Sequence, residues 1–309
     1  MRKPDFFIVG APKCGTTALY SYLKQHPEIY MARKELHYFG ADLTLRDHKK
    51  RLQFREYLDA FSMVKHEKRV GEASVWYLYS KTAAEEIEEL TPDAKIIVML
   101  RNPVDMLYSQ YFQLRLNGDE DLPTFEQALD AEEDRKMWQR LPKTSAPGPI
   151  EALYYIDTVK FAEQVQRYFT VFSREKVHVI IYDDFAKDTA SVYRDTLDFL
   201  GVNRDFQPTF AVVNPCKKVR NIVLWRIMKF SPYRLQAAWR KLLPPPVRGL
   251  ILKNVTQWNT KHEARPAMTQ ETHEHLQKIL APNVECLSKL LGRDLTYWTK
   301  ESNYYRQRR

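Results

Sequence analysis

The chain has 309 residues, 44% hydrophobic and 13% aromatic, enough to bury a substantial core, which excludes a disordered or low-complexity protein. Lys and Arg outnumber Asp and Glu by 48 to 39, a formal +9, so the expected partner is anionic: phosphate or sulfate, nucleic acid or an anionic membrane surface. The three cysteines, Cys14, Cys216 and Cys286, form neither a disulfide framework nor a metal-ligand spacing, so a reducing compartment and no metal are expected.

No charged and apolar leader opens the chain, because Met1 to Asp5 runs straight into Phe6–Gly10 (FFIVG), a short apolar run ending in glycine. This run predicts a strand, and Leu19, Tyr22 and Leu23 give Thr16–Gln25 helical spacing. Further strands are predicted at Arg69–Ala73, Lys95–Leu100 and Val177–Tyr182, with helices at Ser80–Leu90, Val104–Leu116, Tyr154–Phe169 and Ala190–Leu200. Such alternation predicts an α/β fold with a mostly parallel central sheet, helices on both faces, and ligands at the carboxyl ends of the strands. The reading is one domain over 1–309, with a basic, aromatic-rich insertion at about 221–253 and a C-terminal closing segment at about 258–298. Leu141–Ile150 and Asn203–Pro215 read as loops. No apolar run approaches the roughly 18 residues that span a bilayer, so a cytoplasmic protein is expected. Trp225, Arg226, Lys229, Trp239, Arg240 and Lys241 offer either membrane or polyanion contact, or a helical hairpin packed on the domain.

Gly10-Ala-Pro-Lys13-Cys14-Gly15-Thr16-Thr17 follows a strand and opens a helix, so backbone N–H groups and the positive helix end converge on one point, with Lys13 beside them. A nucleoside triphosphate loop would place lysine directly after its second glycine, where this chain has Thr16, and a magnesium-holding acid at a neighbouring strand end, where it has Arg101. Arg101-Asn-Pro-Val-Asp-Met-Leu-Tyr-Ser109 is a second strand-to-helix passage, with Pro103 at the helix start.

Taken together, these stretches resemble PAPS-dependent sulfotransferases, which use 3′-phosphoadenosine 5′-phosphosulfate (PAPS) as sulfuryl donor: the first loop is similar to their 5′-phosphosulfate loop and RNPVDMLYS to their 3′-phosphate motif. The resemblance implies that Lys13, Cys14, Gly15, Thr16 and Thr17 hold the 5′-phosphate and sulfuryl end, that Arg101 and Ser109 hold the 3′-phosphate, and that Arg265 and Lys261, in Lys261–Thr269, contact phosphate from a closing loop. It extends to Arg69–Leu78, Val179–Phe185 and Leu290–Trp298.

Met31–Gly40 (MARKELHYFG) resembles the catalytic stretch of heparan sulfate sulfotransferases, which implies Glu35 as general base. His37, two residues on, would share its face on a strand and orient base or substrate. Two departures matter. Ala73 follows Glu72 where heparan-type enzymes often carry lysine, and Ala18 stands where small-molecule enzymes tend to place an aromatic that stacks on adenine. The expected acceptor is thus an alcohol, a carbohydrate or glycolipid before a small-molecule alcohol or amine. More distant readings are a P-loop kinase or hydrolase, and a salt-sensitive polyanion-binding protein.

Overall fold

The computed structural model describes residues 2–45, 51–142, 148–211, 217–219, 255, 258, 260–262 and 265–300. Five strands, β1 (Phe6–Gly10), β2 (Ile29–Met31), β3 (Arg69–Ala73), β4 (Lys95–Leu100) and β5 (Val177–Ile181), form one sheet in the order β2-β3-β1-β4-β5. Every pairing is parallel. All of β1 and all but the first residue of β4 are buried, which is why both read as unbroken apolar runs. Around the sheet lie α1 (Thr16–Leu23), α2 (Phe54–Asp59), α3 (Ala83–Leu90), α4 (Pro103–Asn117), α5 (Phe125–Asp130), α6 (Glu132–Lys136), α7 (Tyr155–Thr158), α8 (Phe161–Val171), α9 (Tyr182–Lys187), α10 (Thr189–Leu200) and α11 (Gln270–Leu291). The α/β architecture is the expected one.

The strand order positions the site. β1 lies between β3 and β4, with Ile8 opposite Ala73 and Gly10 opposite Val98, and β4 continues with Leu100 opposite Ile181. The loops that leave β1, β3, β4 and β5 therefore open at one edge of the sheet, at the point where the chain crosses from one side of β1 to the other.

Several segments depart from expectation. The helix expected over Tyr154–Phe169 breaks into α7 and α8, because the Gln164 side-chain amide donates to the carbonyls of Asp157 (3.2 Å) and Thr158 (3.3 Å), which a continuing helix would have used. Tyr182 begins α9 instead of ending β5. The long α11 is a helix the sequence reading left unassigned; Leu276, Leu280, Val284 and Leu287 form its buried stripe, and Pro282 lies inside it. A short antiparallel pair joins β6 (Lys217–Val219) to β7 (Thr260–His262), with Lys218 opposite Lys261. The aromatic-rich 221–253 segment lies outside the described residues. Among the described residues no helix is long and apolar enough to cross a membrane.

Candidate active site

The loop after β1 is shaped by two glycines. A Cβ on Gly10 would stand 2.8 Å from the Val75 carbonyl oxygen, and one on Gly15, at φ 93°, would stand 3.0 Å from the Tyr182 ring. Gly15 is the residue before the first turn of α1 and provides no side-chain cap, so the first N–H groups of that helix, with its positive end, point at a place suited to an anion. Lys13 stands beside them at φ 62° and donates to Gln113 Oε1 on α4 at 3.1 Å. Thr16 is nearly buried, whereas Thr17 accepts from Lys34 Nζ at 2.9 Å. The Cys14 side chain faces the core, and burial pushes its thiol up to about 12, so what this residue can offer an anion is its backbone N–H.

The second passage repeats the geometry one strand away. Asn102 caps α4 by accepting from the Val104 N–H at 3.0 Å, with Pro103 in the first turn. Arg101, at the carboxyl end of β4, pairs with Asp105 at 3.2 Å and lies over the Tyr182 ring at 4.8 Å. Tyr182 thus touches Arg101 and closes the space behind Gly15, a structural link between the loops that leave β1 and β4. Ser109 lies further along α4 and is 2% exposed. The Tyr108 hydroxyl donates to the Pro266 carbonyl at 3.1 Å, which brings the half-buried Arg265 segment against the same helix. Lys261 lies in β7, and its side chain is outside the described residues.

Glu35 and His37 come together, but not as strand neighbours. β2 ends at Met31, and both residues sit in a loop with left-handed backbones, φ 61° and 51°. The Glu35 N–H donates to the Ala73 carbonyl at 2.8 Å, the Val75 N–H donates to Glu35 Oε2 at 3.2 Å, and His37 Nε2 is 3.5 Å from the same oxygen. The end of β3 therefore holds the loop. Below it lies a fully buried carboxylate: Glu72 accepts from Tyr57 (2.5 Å), Tyr77 (2.6 Å) and Ser74 (2.9 Å). The Tyr77 hydroxyl accepts from the N–H groups of Tyr38 and Phe39, and Ser74 Oγ from that of His37. Arg51 grips the far side, donating to the carbonyls of Phe39 (2.9 Å), Gly40 and Leu43 (2.8 Å). Burial raises the Glu35 carboxyl above its usual range, partly offset by Lys34 and the Val75 N–H. A carboxylate with one exposed edge and a raised affinity for protons is suited to accept one.

A sequence model of the sulfotransferase domain matches residues 3–220. The chain belongs to the sulfotransferase family. It is 32% identical to a sulfotransferase from Alicyclobacillus acidocaldarius of known crystal structure, with a TM-score of 0.72 over 97% of this chain and all of that one. It is also 28% identical over 252 residues to carbohydrate sulfotransferase 15 of Mus musculus, covering 64% of this chain and 44% of the relative. A third likeness, 28% over 315 residues and 96% of this chain, is to the bifunctional heparan sulfate N-deacetylase/N-sulfotransferase 4 of Mus musculus, of which 31% is covered. The chain thus spans less than half the length of these two curated relatives.

In this sulfotransferase the structure joins Thr17 and Glu35 through one residue the motif reading passed over. Lys34 donates to Thr17 Oγ1 and lies 3.7 Å from Glu35 Oε1. Gln113 beside Lys13, Tyr182 beneath Arg101 and the buried Tyr57–Glu72–Tyr77 cluster were also missed as site residues. Lys34 carried the clearest signal, a cation next to the nominated base. The others belong to the site only through strand order, which no local pattern reports.

Proposed function

We propose that this enzyme transfers a sulfuryl group from PAPS to a hydroxyl of a carbohydrate acceptor, with Glu35 as general base. The observation that carries the reading is the fixed Glu35 carboxylate, joined through Lys34 to Thr17 at the start of α1. The donor fits: the uncapped start of α1 and Lys13 suit a 5′-phosphate, Thr16 and Thr17 a sulfuryl group, and Arg101, Ser109 and Arg265 a 3′-phosphate, with Lys261 as a further contact. When bound, PAPS supplies an activated sulfuryl group whose leaving oxygen belongs to a phosphate. Glu35 takes the acceptor's hydroxyl proton as the new S–O bond forms, His37 orients that carboxylate, and Lys13 and the helix start stabilise charge gathering on the leaving oxygen.

The carbohydrate acceptor rests on the names of the relatives and on the heparan-type Met31–Gly40 stretch. Ala73, fully buried, leaves the acceptor side without the lysine often found there in heparan-type enzymes, which keeps a small-molecule alcohol as the second reading. We further read 1–309 as one domain. The test is labelled sulfate transfer from PAPS to polysaccharide, glycolipid and small-alcohol pools, with calorimetry of adenosine 3′,5′-bisphosphate (PAP). Transfer to the polysaccharide pool, lost by at least about a thousandfold in Glu35→Gln with PAP affinity kept, is expected. Full activity of Glu35→Gln would remove the base, and absence of PAP binding by the unaltered protein would overturn the donor.

A further inference from the structure

We infer that Lys34 is a second catalytic cation, one that touches the sulfuryl group on the acceptor side of the transfer while Lys13 serves the leaving side. The inference deepens the reading of Glu35 as base and Thr17 as a sulfuryl contact, and rests on it. Lys34 Nζ is held at three points: 2.9 Å from Thr17 Oγ1, 3.7 Å from Glu35 Oε1 and 5.9 Å from the centre of the Tyr20 ring. That ring is fixed in turn, its hydroxyl donating to the Ala32 carbonyl at 2.9 Å. The Lys34 side chain is 17% exposed, so its position is set by packing rather than by solvent.

The placement answers a physical problem of the reaction. A carboxylate base facing a sulfuryl group sets two anions against each other in a site where water screens them poorly. A compact ammonium with three donors can serve both at once. In the transfer, the acceptor oxygen forms its bond to sulfur while the bond from sulfur to the 5′-phosphate oxygen breaks. That electron pair leaves on the phosphate as PAP, and the acceptor's proton passes to Glu35. Throughout, negative charge stays on the three oxygens that remain with sulfur. Lys34, between Thr17 and Glu35, is placed to contact these oxygens without gripping either phosphate. Gln113 holds Lys13 towards α4, so the two ammonium groups are anchored by different elements.

PAP separates this role from a structural one, because it carries both phosphates and lacks the sulfuryl group. In Lys34→Met, kcat for sulfate transfer should fall about a hundredfold or more, while PAP affinity by calorimetry stays within about twofold of the unaltered enzyme. The acid limb of the kcat profile should move to higher pH, since Glu35 loses the cation that lowers its pKa. Lys34→Arg, which keeps the charge, should return the limb towards its original position. Unchanged kcat in Lys34→Met overturns the proposal, and so does a loss of PAP affinity in proportion to kcat, which would make Lys34 a phosphate contact or a purely structural residue. PAP binding by the unaltered protein and the inactivity of Glu35→Gln report separately on the reading beneath it.

Discussion

Lys13, Glu35 and His37 share a left-handed backbone that residues with a Cβ rarely adopt, at a cost of about 1–3 kcal/mol each. Such strain persists only where the surroundings impose it, and here they do: α4 holds Lys13, the end of β3 holds Glu35, and Ser74 accepts from the His37 N–H. Gly15 shows the opposite solution, with no Cβ at a left-handed position facing Tyr182. Gly15→Ala should therefore lower stability by about 1–3 kcal/mol and weaken PAP binding at least about tenfold, read by urea denaturation and calorimetry. The pH dependence of transfer follows from Glu35. Burial raises its carboxyl, so the base is ionised only above a pH higher than the usual glutamate value, and kcat should rise with pH through that raised value. A rate flat from pH 4 upwards would disprove it.

At the scale of elements, β3 does more than pair. Its Glu72 is fully buried, and burial, offset only in part by three hydroxyl donors, moves its pKa from the ordinary 4.5 up to about 7. A carboxyl raised on folding binds more protons in the folded state between those two values, so its contribution to stability falls as pH rises from 4.5 to 7 and stays low above. The change is on the order of 3 kcal/mol. Glu72→Gln cannot ionise, so the stability difference between it and the unaltered protein should shift by about that amount in favour of the variant between pH 4.5 and 8. Urea midpoints at both ends measure it, and a constant difference would show that Glu72 keeps an ordinary pKa. The element was only partly legible in sequence. RVGEA was readable as a strand, whereas Ile29–Met31 was missed because three residues carry too little periodicity.

At the scale of the molecule, two separated stretches, Val179–Phe185 and Leu290–Trp298, close on each other. Asp183 accepts from the Tyr297 hydroxyl (2.8 Å) and Trp298 Nε1 (2.9 Å), Asp184 pairs with Arg293, and Asn102 donates to the Trp298 carbonyl at 3.2 Å. The C-terminal segment is thereby fastened to the starts of α9 and α4, next to Arg101. Trp298 is 1% exposed, while Asp184 and Arg293 are each about two-fifths exposed. Trp298→Ala should therefore cost about 3–5 kcal/mol and Asp184→Asn less than about 1 kcal/mol, both read by urea denaturation. Equal losses would mean that the ion pair, and not the buried ring, fastens the segment.

By itself, the sequence was sufficient to determine the strands Phe6–Gly10 and Lys95–Leu100, the strand-to-helix passages that follow them and the family, because glycine placement, helix starts and apolar runs are local patterns. Tertiary structure alone decided that Lys34 bridges Thr17 and Glu35, that Glu72 underlies the loop carrying Glu35 and His37, and that Tyr182 joins the loops after β1 and β4. Those contacts depend on β1 lying between β3 and β4. Strand order arises from packing over the whole sheet, so no single window of the chain records it.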